Sequence, residues 1–382
     1  MAHVRDYVNN YGNVSFTEKP FCDEDNVALC MSFYMPLDKA VSASFDDEPV
    51  PFKDACDKLF ALRGNKHKPV GLVLVKGISK LLMDMSRQKR YSEIKVIACT
   101  DNFNVKPAVQ FNAATYFLPT GQILVLFRGT DDTLTGWKED LDILAFDGDV
   151  PSNQLALDYL KEVAERFEGD IIVAGHSKGG YVSQYVVLNS PKEIRDRIVA
   201  YYNNDGPGLA SYDYLSEGVY EEMLPRYHHL IPKSSFIGMM LSHDDDYLVV
   251  NSSKITGAMQ HDMLTWKFKG DKLDIMDDIT KAGKIADLVF YDIRTTYPKE
   301  QIAATERAIG AVFEGIGQRG LLDVKSHLGS SLKGGKRAFK ELDKETKDIL
   351  KATTKSAKKS FKQASKTVKR GEYKKVAERL GE

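Results

Sequence analysis

The sequence predicts an α/β fold in which a mostly parallel sheet is covered by helices on both faces. Between residues 90 and 260, short apolar runs rich in β-branched side chains alternate with segments whose apolar residues recur every three or four positions. The first pattern is typical of strands buried on both faces, and the second is typical of amphipathic helices. A chain of 382 residues, 43% of them hydrophobic, is long enough to bury such a core.

The predicted elements follow one another along the chain. Ala156, Leu160 and Val163 form one face of a helix predicted over residues 153–167, and a second helix is predicted over about 178–188. The strands are predicted from continuous apolar or aromatic runs bounded by polar residues. These runs are Val96–Cys99, Val109–Phe111, Ile123–Phe127, Ile171–Ala174, Ile198–Tyr202, His229–Ile231 and Tyr247–Val250.

Composition divides the chain into three predicted parts: a mainly helical segment over residues 1–90, packed on the core at the sheet edge, an α/β core over 91–318, and a basic helical tail over 319–382. Residues 331–382 hold 17 Lys and Arg against 7 Asp and Glu, a net charge of +10, whereas the rest of the chain has a net charge of −11. Within the tail, Gly329–Gly335 is a predicted hinge. One long Lys-rich helix with a thin apolar stripe is predicted beyond it.

Several functional classes are not expected from this sequence. No apolar run reaches eighteen residues, so no transmembrane segment is predicted, and the N-terminus lacks the pattern of a signal peptide. The four cysteines form no CxxC pair, which favours reduced thiols in a cytoplasmic protein. Neither metal-ligand spacing nor a nucleotide-binding glycine motif is present, so no cofactor is predicted.

The motif with the clearest chemical meaning is G-x-S-x-G, formed by Gly175, Ser177 and Gly179 between a predicted strand and a predicted helix. A serine nucleophile at this position sits on a tight turn that lifts its hydroxyl above the sheet, and a larger residue at either glycine would collide with neighbouring backbone. The next backbone N–H, that of Lys178, then faces the position of an oxyanion. Ser177 is therefore the predicted nucleophile.

A second polar turn follows the strand predicted at Ile123–Phe127. In serine hydrolases with this nucleophile turn, another oxyanion donor comes from a loop after an earlier strand. Thr130 is placed to supply its N–H to that oxyanion, with its hydroxyl as an additional candidate donor. Residues 136–141 are predicted to form a short lid helix.

These motifs resemble the class 3 lipases, which have the α/β-hydrolase fold, through Phe127–Thr130 with Trp137 and Asp140, and through Gly175–Gly180. A closer resemblance is to the Mbeg-like family of uncharacterised bacterial lipase-like proteins, and it spans roughly residues 1–300. The resemblance implies an α/β-hydrolase that acts on an acyl ester or a related acyl bond. The further residues that carry it are Pro20–Asn26 with Tyr34, Asn204–Gly208, Pro232–Gly238, and Gln260–Asp262 with Trp266.

The resemblance also implies a catalytic histidine after the last parallel strand, and His261 fits both that chain order and the family's Gln-His-Asp motif. The family's acid would lie in residues 231–238, which contain no carboxylate. Asp205, at the end of the strand after the nucleophile helix, is the predicted acid because active-site loops gather at the carboxyl ends of parallel strands. Its runner-up is the cluster of Asp244, Asp245 and Asp246. Lys178 is a second departure, since lipases usually have leucine there.

The sequence thus predicts a serine hydrolase whose substrate is an acyl ester or lipid-like small molecule. The alternative is an inactive hydrolase fold that serves as a binding module and engages a partner through its tail. Three contacts are open for the tail: a protein partner, an anionic surface, or nonspecific nucleic acid. The tail is poor in aromatic residues, which argues against base stacking, so no specific nucleic acid is predicted. The charge of Lys178 either assists an anionic substrate or faces solvent.

Overall fold

A sheet of nine strands runs through the part of the chain that this computed structural model describes, namely residues 2–63, 77–105, 108–131, 133–145, 150–209, 215–241, 247–316 and 328–380. Its strands, in spatial order, are β1 (Val50–Pro51), β2 (Lys95–Asn104), β3 (Val109–Phe117), β4 (Ile123–Phe127), β5 (Ile171–His176), β6 (Ile198–Asn204), β7 (Tyr227–Pro232), β8 (Tyr247–Val250) and β11 (Ile275–Met276). A separate two-stranded ribbon joins β9 (Phe268–Lys269) to β10 (Lys272–Leu273).

The centre of the large sheet is parallel and its flanks are antiparallel. Strands β4 to β8 pair in parallel, whereas β1, β2 and β3 form an antiparallel flank on one side and β11 pairs antiparallel with β8 on the other. The carboxyl ends of β5, β6 and β8 therefore lie along one edge of the sheet. The sequence predicted all of the central strands, because each is a short and continuously apolar run.

Helices surround this sheet, and they include the two predicted between β4 and β6. Their bounds are α1 (Val4–Tyr11), α2 (Asp23–Ser32), α3 (Phe52–Arg63), α4 (Ile78–Met85), α5 (Lys89–Ser92), α6 (Leu134–Ala145), α7 (Pro151–Arg166), α8 (Lys178–Asn189), α9 (Lys192–Arg195), α10 (Val219–Met223), α11 (Gly257–Gln260), α12 (Lys281–Thr296), α13 (Lys299–Ile316), α14 (Leu328–Glu341), α15 (Lys344–Lys369) and α16 (Tyr373–Leu380). Short 3₁₀ turns cover Leu37–Lys39, Leu224–Arg226 and Met263–Thr265.

The sheet is buried on both faces by two large apolar clusters. Leu124 and Leu126 of β4 face a cluster that contains residues of α1 to α4, whereas Val125 and Phe127 face a cluster that contains residues of α7 and α8. The amino-terminal helices therefore cover a face of the sheet, not its edge as we predicted. They do so because their apolar residues meet alternate side chains of the central strands. The predicted α/β architecture, with helices on both faces, is confirmed.

The described tail forms three helices instead of the single long helix that we predicted. The proposed hinge at Gly329–Gly335 is wrong, because these residues lie inside α14. The chain breaks at Asp343 instead, whose side chain accepts a hydrogen bond from the backbone N–H of Thr346 at 2.7 Å and thereby caps α15. Ala364 and Val368 of α15 pack against Leu288 of α12, so part of the predicted apolar stripe is covered by the chain itself.

None of the described helices is both long and apolar enough to cross a membrane.

Candidate active site

Ser177 occupies a strained turn between β5 and α8. Its backbone has φ 60° and ψ −129°, a conformation that residues with side chains rarely adopt. The turn closes because the neighbouring glycines pack without side chains: a Cβ on Gly175 would collide with the carbonyl of Gly179, and one on Gly179 would collide with the carbonyl of Phe127. The backbone is therefore shaped to project the Ser177 side chain at the carboxyl edge of the sheet.

His261 and Asp205 meet at the same edge. The Nδ1 atom of His261, at the end of α11, lies 2.7 Å from Oδ2 of Asp205, which follows β6. Asp205 is fully buried and has φ 48°, a left-handed conformation that Asp tolerates better than most residues. A neutral imidazole that donates Nδ1–H to a carboxylate keeps its Nε2 lone pair free to accept a proton.

The loop after β7 holds the Asp205 carboxylate. Oδ1 of Asp205 accepts hydrogen bonds from the Ser235 hydroxyl at 2.5 Å and from the Gly238 backbone N–H at 3.2 Å. This is the region, residues 231–238, in which class 3 lipases would carry the acid and this chain has none. In this chain the loop after β7 instead supplies hydrogen-bond donors to the carboxylate of Asp205, which follows the neighbouring strand β6. Ser235 was not predicted from the sequence, where the adjacent serines at positions 234 and 235 are the one signal for it.

His176, which directly precedes Ser177, contacts the backbone of His261. Its Nε2 lies 2.8 Å from the backbone carbonyl oxygen of His261, and its Nδ1 lies 2.7 Å from the Tyr34 hydroxyl. Because a carbonyl only accepts, Nε2 carries the proton and Nδ1 accepts from Tyr34. Burial lowers the pKa of His176 well below its usual 6.5, and nearby His261 lowers it further. A neutral His176 thus fixes the backbone that carries His261.

Thr130 lies in the turn after β4, and its hydroxyl is held by Asp140. Oγ1 of Thr130 is 2.7 Å from each carboxylate oxygen of Asp140 on α6. Burial raises the pKa of Asp140 to about 6, although the nearby Lys178 charge opposes the shift. A hydroxyl engaged in this way fixes the Thr130 side chain, which leaves the backbone N–H as the candidate oxyanion donor.

Lys178 is buried, which excludes both of the roles that we considered for its charge. Its Nζ donates to Oε2 of Glu139 at 2.7 Å and to the backbone carbonyl of Gln110 at 2.5 Å. Glu139 is fully buried on α6 and also accepts from the Gln110 backbone N–H at 3.0 Å and from the Ser152 hydroxyl. The Lys178 charge is therefore neutralised inside the protein. The role of Glu139 as the partner of Lys178 was not predicted from the sequence, although Glu139 is adjacent to Asp140.

The runner-up acids, Asp244, Asp245 and Asp246, lie outside the described residues. The structure brings Asp205 and His261 together and places Ser177, Thr130 and Lys178 at the ends of β5 and β4. Within the described ranges, no group of three or more His, Cys, Asp or Glu side chains is arranged to hold a metal ion.

Comparison with known proteins identifies the family of this chain. The sequence model of the Mbeg1-like family matches residues 85–314, which is more than half of the chain. The chain belongs to the Mbeg1-like family. The Mbeg1-like match contains Ser177, His261, Asp205, Thr130 and Lys178 and stops before the basic tail. It begins later than the resemblance that we stated over roughly residues 1–300, so the motif residues at 20–26 and 34 lie outside it.

Two lipases are among the solved structures that match part of this chain. The M37 lipase is 11% identical over 56% of this chain and 68% of its own, with a TM-score of 0.33. The Rhizomucor miehei lipase in its propeptide complex is 12% identical over 62% of this chain and 76% of its own, with a TM-score of 0.30. The comparison with curated proteins gives no match.

Proposed function

We propose that the protein is a serine hydrolase that cleaves an acyl ester through Ser177, His261 and Asp205. The observation that carries the proposal is the contact of 2.7 Å between His261 Nδ1 and the buried Asp205 carboxylate, at the sheet edge where the strained Ser177 turn also ends. A nucleophile, a base and a residue that orients the base are the minimum set for acyl transfer by serine.

The proposed reaction begins with proton transfer. Nε2 of His261 takes the Ser177 hydroxyl proton as the serine oxygen attacks the acyl carbonyl carbon. Asp205 keeps the other ring proton on Nδ1 and stabilises the imidazolium that forms. The tetrahedral intermediate then collapses, and His261 gives its proton to the leaving alcohol. Water, activated by His261 in the same way, hydrolyses the acyl-enzyme.

Two backbone N–H groups are proposed to hold the oxyanion. The N–H of Lys178 is the first of α8 and has no acceptor within the helix, and the N–H of Thr130 follows β4. Both residues are anchored by side-chain contacts to α6, so the donors are fixed before substrate binds. Preorganised donors of this kind are usually worth 10²- to 10³-fold each in kcat, by the general order of magnitude.

A lipid-like acyl group suits the surroundings of His261. Ile255 is 89% exposed and Met259 is 49% exposed, both on the segment that leads into His261, and Phe236 on the neighbouring loop is 47% exposed. Clusters of exposed apolar side chains beside a site favour an apolar ligand.

We retain a cytoplasmic location as a proposal, because all four cysteines are free.

Hydrolysis of p-nitrophenyl esters of graded acyl length tests the proposal. We expect the wild-type protein to release nitrophenolate and the Ser177→Ala variant to fall to the background rate, with the two proteins matched in thermal stability. Equal rates for the two proteins would contradict the assignment of Ser177. No hydrolysis by the folded wild-type protein, with detergent present, would favour the binding-module alternative.

A further inference from the structure

A groove lies where α13, α14 and α15 meet. We call it the tail groove, and its volume is about 560 Å³. The apolar side chains that line it come from all three helices. They are Ala308, Ile309, Val312, Phe339 and Leu350. A volume in this range is typical of sites for small molecules.

The remaining lining of the tail groove is basic. Lys347, Lys351, Lys355 and Lys358 line it together with Thr354, and none of its described lining residues is a carboxylate. Two of these lysines are occupied: Lys347 donates to the carbonyl of Lys340 at 2.7 Å, and Lys351 pairs with Asp348 at 3.1 Å. Lys355 and Lys358 form no ion pair with any residue of the described ranges. Among the described residues, the groove therefore joins an apolar floor to two lysines without an acidic partner.

We propose that the tail groove binds one long-chain fatty acid, with its alkyl chain on the apolar floor and its carboxylate at Lys355 and Lys358. The floor supplies the apolar burial that an alkyl chain requires, and the ammonium groups of Lys355 and Lys358 match a single negative head group. Stacking of nucleic-acid bases would need several aromatic surfaces, and Phe339 is the one aromatic side chain among the described lining residues. The inference goes beyond the proposed hydrolase activity and stands without it.

Calorimetric titration of the full-length protein with laurate, below its micelle concentration, tests the inference. We expect one laurate per chain, and affinity that falls about tenfold in the double variant Lys355→Glu/Lys358→Glu, since loss of about 1.4 kcal/mol corresponds to tenfold. Val312→Trp, which fills the floor, should abolish binding. Dodecanol, which has the alkyl chain without the charge, should bind about tenfold more weakly than laurate.

The matched control is Lys359→Glu/Lys362→Glu, which makes the same change of charge on exposed positions of α15 outside the groove. It should bind laurate within twofold of the wild-type protein, and thermal melting should show that every variant folds. Wild-type affinity in both groove variants would overturn the inference, because laurate would then bind elsewhere. An equal loss of laurate affinity in the control variant would also overturn the inference. The attraction of laurate would then come from the charge of the whole helix α15.

A second experiment tests whether the tail groove binds a free fatty acid or the surface of a membrane. Sedimentation with vesicles of anionic phosphatidylglycerol should give the same bound fraction for the Lys355→Glu/Lys358→Glu variant as for its control pair. If the groove variant loses vesicle binding and keeps laurate binding, the groove faces a membrane and the fatty-acid inference is wrong.

Discussion

Single residues of this site are held by neighbours that the motifs do not reveal. Asp205 lies in a left-handed conformation, fully buried, with one oxygen on His261 and the other on the loop after β7. The donors from Ser235 and Gly238 fix the position of this carboxylate. Asp205 is therefore held in one orientation beside His261.

The Asp205→Asn variant should lose activity on the order of 10⁴-fold in kcat, because an amide at this position favours the wrong His261 tautomer. Steady-state kinetics on a nitrophenyl ester measure the loss. The matched control is Asp262→Asn, since Asp262 is adjacent to His261 but its side chain accepts from the backbone N–H of Leu264 at 2.9 Å. Retention of activity in Asp205→Asn, with loss in Asp244→Asn or Asp246→Asn, would transfer the role to the runner-up cluster.

His176 should make the fold less stable in acid. Burial lowers its pKa in the folded state below the ordinary 6.5, so below that pH the unfolded chain binds more protons than the folded one. The contribution of neutral His176 to the stability of the fold is therefore complete above the ordinary pKa of histidine. It is lost as the pH falls through that pKa. At pH 5.5 this one group can cost up to about 1.4 kcal/mol relative to neutral pH, a limit set by the ordinary pKa of the unfolded chain.

Urea unfolding of wild type and His176→Gln at pH 7.5 and 5.5 measures this effect. Wild type should lose more stability than the variant on acidification, by up to about 1.4 kcal/mol, whatever the stability of the variant at pH 7.5. Equal losses in the two proteins would show that His176 is protonated in the folded state.

At the scale of elements, α6 positions both candidate oxyanion donors. Adjacent carboxylates on this helix hold two different turns: Asp140 binds the Thr130 hydroxyl, and Glu139 binds the Lys178 ammonium group. The helix begins one residue after Thr133, so it is anchored close to the loop that it supports. We predicted residues 136–141 as a lid, whereas these contacts make the helix a support for the site.

Removing one member of the Lys178–Glu139 pair should be costly, because its partner is left as a buried and unpaired charge. Lys178→Met and Glu139→Gln should each lower the free energy of unfolding by about 3–5 kcal/mol. The double variant should be more stable than the sum of the single losses predicts. Urea unfolding of the wild type, the two single variants and the double variant gives a double-mutant cycle. If the two single losses of stability simply add in the double variant, Lys178 and Glu139 do not interact directly. Lys192→Met, from an exposed pair with Asp196, is the control with little change expected.

The elements were predictable where a local pattern encodes them, and contacts between distant segments were not. Continuous apolar runs identified β4 to β8, and the glycines at 175 and 179 identified the Ser177 turn. In contrast, nothing within residues 1–90 shows which face of the sheet their helices cover. The support of Asp205 by Ser235 and of Lys178 by Glu139 joins residues 30 and 39 positions apart. Such pairs form only when the sheet order is fixed.

The whole molecule combines an acidic α/β unit with a basic helical tail that packs on it. Besides the apolar contacts of α15 with α12, the Tyr373 hydroxyl donates to Asp287 of α12 at 2.7 Å and the Ser360 hydroxyl donates to Asp292. The tail thus turns Ser360, Ala364 and Val368 inward, whereas most of its lysines and a few apolar residues such as Phe361 are exposed. The two ligand sites that we propose are the sheet edge with Ser177 and the tail groove.

Fluorophosphonate labelling, read by intact mass, tests the central claim that Ser177 is an activated nucleophile. The probe reacts with a serine only when a base and an oxyanion site assist it. We predict one adduct on the wild-type protein, none on Ser177→Ala, and much slower labelling of Asp205→Asn. An unlabelled wild-type protein that is folded, or an adduct that persists in Ser177→Ala, would contradict the account.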